Sequence, residues 1–352
     1  MGKYLILLWT AGCCLFADNN WMNRQIADDL AGFEKESLAV SDVNDTYELD
    51  SRGEKEFVKI HIINGKVKLF QHGAHVKAHG RRQVLKEYFK ELVKGKALPD
   101  TTFIVALSDG LNFEAGFKVP IFTFAKEKRA GAIEKDTILL PDFESLKKQQ
   151  SLIAKCRKAS AQYPWKKKRD KVYWRGAMTG GTYREDDFLK WPRVKLVYLS
   201  KADGDSIDAR FVKTPQPNQH VINRIIGDTF PLVKKVPRAK HFAYKYLIDI
   251  DGNSCTYARC RWIMLSNSVL LKPDSANIQW YYSLLEPYEN YIPLAADLSD
   301  IKDQIFWLKT HDSEGESIAL RATQLGEEIF SKKCIDRYVR KAIKAYSGLF
   351  GK

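Results

Sequence analysis

The sequence predicts an α/β protein made of two α/β units that face each other across a cleft, and three observations predict it. Short apolar runs that read as buried strands alternate with stretches whose apolar residues recur at helical spacing, as expected of sheets covered by helices. The alternation occurs twice, in residues 18–150 and again in residues 171–330. A basic, proline-containing stretch at 151–170, with the run KKKRDK starting at Lys166, reads as a solvated linker, and 331–352 reads as a C-terminal helix.

The elements follow in order. Residues 1–17, MGKYLILLWTAGCCLFA, place one lysine before a mostly apolar run and then Asp18, the layout of a secretory signal peptide cut after Ala17. A buried strand or helix and a lipoprotein-type site at Cys13 are the alternatives. No later run reaches the roughly 18 apolar residues that a membrane span needs. The expected location is therefore the secretory pathway or cell envelope, with a cytoplasmic, membrane-peripheral protein as the alternative. A short helix is expected over 23–36. Residues 57–63 and 66–71 alternate about Asn64-Gly65, a hairpin signature. Val84, Leu85, Tyr88, Phe89 and Leu92 make 81–93 a helix, and strands are expected at 103–107, 119–124 and 137–140. In the second series, strands are expected at 172–174, 244–250 and 269–271, and helices at 191–200, 256–265, 300–309 and 317–346. Pro192 falls in the first turn of its helix, where its missing N–H costs nothing.

At 352 residues and 45% hydrophobic, the chain can bury two cores. Its formal charge of +14 favours anionic partners, among which a nucleotide diphosphate, nucleic acid and an anionic membrane are not separated by charge alone. The basic residues are scattered and form no recognised nucleic-acid motif, so a nucleic-acid-binding protein is the weaker rival. Six cysteines without a CxxC pair support neither a zinc site nor a dithiol.

Asp109 directly follows the strand FIVAL, beyond the carboxyl end where open sheets bind ligands, and a carboxylate there can act as a general base. On local sequence alone the favoured reading is an Asp that begins a turn with Gly110. Arg175-Gly176 leads from a strand into Ala177-Met178-Thr179-Gly180-Gly181-Thr182, a small-residue loop whose amides can approach a phosphate, flanked by Arg184 and Arg193. The strand through Asp249 enters a helix that Asn253 or Ser254 is expected to cap, its free amides offered to an anion. Arg259 and Arg261, two apart in that helix, point in different directions. Asp249-Ile250-Asp251 spells a DxD that can chelate a cation, with helix capping as the competing duty of Asp251. His72, His75 and His79 read as an exposed loop in preference to a metal cluster. Trp280, Tyr281, Tyr282, Tyr288 and Tyr291 read as core and cleft walls.

YWRGAMTGG, WPRVKLVYLS, KYLIDIDGNSCTYARCRWIMLSNSVLLK and EPYENYIPL resemble, in order and spacing, glycosyltransferase family 90, which holds lipopolysaccharide-modifying transferases and protein O-glucosyltransferases. The resemblance covers residues 100–330 and implies a GT-B-like fold of two Rossmann-like domains facing across a cleft and inverting transfer from a UDP-sugar, with no metal or other cofactor. It implies a glycan, glycolipid or protein acceptor. The family's base falls on Asp109 and its donor-binding positions on Arg175, Gly176, Arg193, Ser254, Arg259 and Ser268, beside the loop residues Thr179 and Gly180. Asn290 stands where the family has His, and the segment 256–259 is one residue longer than in the protein-modifying branch. A sugar-binding relative without catalysis remains the alternative, against which Asp109 argues.

Overall fold

The computed structural model describes residues 20–33, 37–54, 56–73, 79–95, 98–109, 117–129, 132–133, 136–147, 150–181, 187–214 and 230–351. The leader, His75, Thr182 and Arg184 lie outside them. Asn64 and Gly65, at φ of 49° and 68°, make the left-handed turn that suits a two-residue hairpin between β1 (Phe57–Ile63) and β2 (Lys66–Gln71). Val58, Ile60 and Ile62 alternate inward and are fully buried. The expected helix at 81–93 runs His79–Gly95, and its Leu85, Phe89 and Leu92 are buried in the same core cluster.

The first five-stranded sheet has the order β2-β1-β3-β4-β7, with β3 at Thr101–Ala106, β4 at Ile121–Thr123 and β7 at Thr137–Leu139. β3, β4 and β7 are parallel, while β1 is antiparallel to both neighbours, so this half is a mixed sheet where a Rossmann half would be wholly parallel. The second sheet has the order β13-β11-β10-β8-β9 and every pair in it is parallel. Its strands are β8 (Arg169–Ala177), β9 (Ile207–Lys213), β10 (Tyr244–Ile248), β11 (Val269–Pro273) and β13 (Ile292–Leu294). The strand order reverses between β8 and β10, and loops diverge at such a switch point to leave a crevice beyond the carboxyl ends.

Two features join the halves. β12 (Asn277–Ile278) pairs with β5 (Lys126–Arg129), which pairs with β6 (Ala132–Ile133). The chain also crosses back: helix Lys332–Ser347 packs on the first sheet, its Tyr338 and Tyr346 hydroxyls donating to Leu139 O at 3.1 Å and Thr102 O at 3.2 Å. The Tyr338 ring lies 5.9 Å from Trp21 and 4.9 Å from Trp280, between the first helix and the second half.

Several expectations need correction. The single helix expected over 317–346 is two, Asp312–Ile329 and Lys332–Ser347, because Ser331 caps the second by accepting from Cys334 N. The N-terminal region holds helices Asn20–Leu30 and Val40–Glu48, the latter closed by Asp42 accepting from Ala39 N at 2.8 Å. Residues read as linker include helix Gln150–Ser160. Lys168, in the run read as solvated, is 5% exposed and donates to Phe242 O, Ser266 O and Ser268 Oγ. Trp280 and Tyr281 are buried as expected of core, whereas Tyr288 is 41% exposed. Among the described residues no helix is long and apolar enough to cross a membrane.

Replacing Tyr338 by Ala should lower unfolding free energy by about 3–5 kcal/mol in urea, as for other large buried rings. Tyr338→Phe should cost only about 1 kcal/mol, the worth of one hydrogen bond. A negligible loss on Tyr338→Ala would remove this helix as a tie between the halves.

Candidate active site

The crevice at the β8/β10 switch point is built by close backbone approach. Gly180 sits at φ of 97°, and a Cβ there would lie 2.7 Å from Gly252 O. A Cβ on Gly252 would lie 2.7 Å from Thr179 Oγ1 and 2.9 Å from Arg193 Nη2. Only glycine allows the two loops to touch in this way. Arg193, at the start of helix Pro192–Ala202, then laces the strands together. Its Nε and Nη2 donate to Ile250 O at 3.3 and 2.9 Å, and its Nη1 donates to Ala177 O at 3.0 Å and to Thr179 Oγ1.

Asp109 stands on the opposite wall, just past the carboxyl end of β3. Its Oδ1 accepts from Arg81 Nη2 at 2.6 Å, and its side chain keeps 47% of its surface exposed. Arg81 is itself fixed, donating to Leu107 O and lying 4.3 Å over the Phe143 ring. Asp109, Arg81, Thr179, Arg193, Lys213, Ser254 and Tyr257 line one cavity of about 290 Å³. Both halves therefore contribute to it. Tyr257 carries a φ of 50°, sparsely populated for a non-glycine residue. Burial, then the charge of Asp109, pushes its phenol upward, so it stays a neutral donor.

A second cavity of about 760 Å³ adjoins, lined by Arg175, Gly176, Arg259, His241 and Trp262 among others, and shares Ala177 and Lys213 with the first. Arg175 pairs with Asp208 at 2.9 Å and also donates to Asp208 O and Trp174 O. Arg259 donates to Arg175 O at 2.7 Å and lies 5.6 Å from the ring centres of both Trp174 and Trp262. Burial, then Arg193, pulls Arg259 down to about 10, which leaves it charged near neutrality without a carboxylate partner among the described residues. Burial, then Arg259, brings His241 down to about 3, so its imidazole is neutral.

The structure thus brings Asp109, Thr179, Arg193 and Ser254 into one cavity and Arg175, Gly176 and Arg259 into its neighbour. Gly180 supports the first through its contact with Gly252. Ser268 is not brought there. It precedes β11, at the amino ends of the strands and away from the crevice, fully buried, donating to Tyr244 O and accepting from Lys168. Three of the loop amides are occupied: Met178 N donates to Lys213 O, Thr179 N to Ala177 O and Gly180 N to Asn253 Oδ1. The helix expected from Asn253 or Ser254 begins only at Ala258, after Tyr257, so no helix terminus lies at Ser254. Asp251 does not cap it but accepts from Ser275 Oγ and Asn277 Nδ2.

Asp249 accepts from Thr256 Oγ1 and faces Lys272 at 3.6 Å, so both DxD carboxylates are engaged by protein groups. His72 lies 3.3 Å from Glu48, and among the described residues no three His, Cys, Asp or Glu are placed to hold a metal. Arg261 points away from Arg259, as expected, and donates to Ser145 Oγ in the first half. Asn290 closes its own turn, donating to Leu284 O and accepting from Glu286 N. Sequence reasoning missed Arg81, Tyr257 and Lys213. Lys213 could have been found, since it ends the strand IDARFVK as Asp109 follows FIVAL.

Gly180→Ala should destabilise the protein by about 1–3 kcal/mol in urea, because the new methyl strains the backbone and pushes the loops apart. A variant as stable as the parent would contradict the close approach.

The pattern described as glycosyl transferase family 90 matches residues 19–351. Protein O-glucosyltransferase 2 of Danio rerio is 28% identical over 336 residues, 92% of this chain and 62% of that protein. Protein O-glucosyltransferase 1 of Homo sapiens is 28% identical over 192 residues, 54% of this chain and 45% of that protein. The chain spans less than two thirds of the length of these relatives. Among solved structures, Anabaena HepE in complex with UDP-glucose aligns with a TM-score of 0.37 and 11% identity, covering 55% of this chain and 53% of that one. A glycosyltransferase from Rickettsia africae aligns at 0.39 and 11%, covering 66% and 63%. With its family's pattern running through nearly all of its length, the chain belongs to glycosyl transferase family 90.

Proposed function

We propose that the chain moves a hexose or pentose from a UDP-sugar to a hydroxyl of a glycan or a protein serine, inverting the anomeric centre. The observation that supports this best is Asp109 sharing one cavity with the loops of the β8/β10 switch point. A carboxylate supplied by one half there faces the wall on which an open parallel sheet receives its ligand. The name of the relatives, protein O-glucosyltransferase, fits glucose as the sugar and a protein as the acceptor.

In this reading Asp109 takes the acceptor proton while the acceptor oxygen attacks the anomeric carbon from the face opposite the diphosphate. The bond from that carbon to the diphosphate oxygen breaks, and its electron pair leaves with UDP. Arg81 holds the Asp109 carboxylate in place for the attack. The developing charge is met by cations already in position: Arg259, desolvated and lacking a carboxylate, contacts the diphosphate, and Arg175 lies beside it. Thr179 and Ser254 offer hydroxyls to the donor in the first cavity. Since Asp249 and Asp251 are tied to Lys272, Thr256, Ser275 and Asn277, the reading assigns them no metal.

Asp109→Asn should lower turnover by about 100-fold or more, measured as UDP release with acceptor, while UDP affinity changes by less than about twofold. Retained turnover would remove Asp109 as the base. Arg259→Ala should weaken UDP binding by about tenfold or more in calorimetry, the worth of a charged hydrogen bond. Unchanged affinity would move the diphosphate away from the second cavity.

A further inference from the structure

The cavity that holds Asp109 is lined by three cations, Arg81, Arg193 and Lys213. Two are committed to the protein. Arg81 is bound to Asp109 and Leu107 O. Arg193 directs its donors to Ile250 O, Ala177 O and Thr179 Oγ1. Among the described residues the Lys213 ammonium has no hydrogen bond or ion pair, and its side chain is exposed.

Its placement is specific. The pairing of β8 with β9 runs Gly176↔Phe211 and then Ala177↔Lys213, so Val212 is an extra residue and the strand is bulged there. Ile207, Ala209 and Phe211 alternate into the core, and an unbroken alternation would send Lys213 the same way. A bulge re-aims the side chains beyond it and recurs beside functional sites. Here it puts Lys213 on the wall of both cavities, a position that among the described residues only Ala177 shares. The backbone is held at that point by Met178 N donating to Lys213 O at 2.9 Å.

We propose that Lys213 binds the diphosphate of the donor at the junction of the two cavities, supplying the mobile positive charge that the committed Arg193 cannot. The inference rests on the transferase reading above and assigns a contact which that reading lacks. An ammonium on a flexible stem suits the task, because the charge it meets moves as the sugar departs.

The test is calorimetric titration of the full chain with UDP, alongside melting curves, for the parent, Lys213→Met and Lys213→Arg. Lys213→Met should bind UDP about 10- to 100-fold more weakly at an unchanged melting temperature, and Lys213→Arg should regain most of the loss. Parental affinity in Lys213→Met, or an equal loss in both variants, would overturn the role of the lysine charge while leaving the donor reading intact. A parent chain that binds no UDP would overturn both.

Discussion

One buried guanidinium holds the crevice open in its working shape. Arg193 spans the carboxyl ends of β8 and β10 by bonding Ala177 O, Thr179 Oγ1 and Ile250 O, acceptors on both sides of the diverging strands. A buried polar group without a partner costs about 1–3 kcal/mol, so a cation that satisfies all three strongly determines where the loops lie. The contact of Gly180 with Gly252 and the bond from Gly180 N to Asn253 then follow from that spacing. The arrangement uses an arginine for architecture at a place where arginines are also wanted for chemistry.

That division of labour runs through the site. Arg81 orients Asp109, Arg175 is neutralised by Asp208, and Arg193 binds backbone. Arg259, 5.6 Å from two indole ring centres and, among the described residues, bonded only to Arg175 O, is a guanidinium left with charge to offer in a desolvated setting. The net charge of +14 therefore says little by itself. What matters is which few cations lack a carboxylate where an anion can reach them.

Several local signals in the sequence mark their elements. Asn64-Gly65 marked its hairpin, the period of Leu85, Phe89 and Leu92 marked its helix, and Pro192 marked a helix start. Beyond the Ser331 cap that splits the helix expected over 317–346, much of what escaped depends on residues distant in sequence. The pairing of Asn277 with Glu127 joins a two-residue strand to a short charged one, neither with an alternation of its own. Lys168 looks solvated within KKKRDK, yet two carbonyls and a hydroxyl from residues 242–268 converge on it. Asn253 resembles a helix cap but serves a loop 73 positions away. Asp109 was legible from its place after a strand, and Arg175, Arg193 and Arg259 from the loop they flank and the helix that follows it, whereas Arg81 became visible only once helix His79–Gly95 was packed beside β3.

The central claim is that the cation-lined wall beside β8 receives a nucleotide diphosphate directly across from Asp109. The most direct measurement is a crystal structure of the chain soaked with UDP. The account predicts the diphosphate within hydrogen-bonding distance of Arg259 and Lys213, its terminal phosphate turned toward the Asp109 cavity. Density for UDP elsewhere on the surface, or with its phosphates turned away from Asp109, would contradict it.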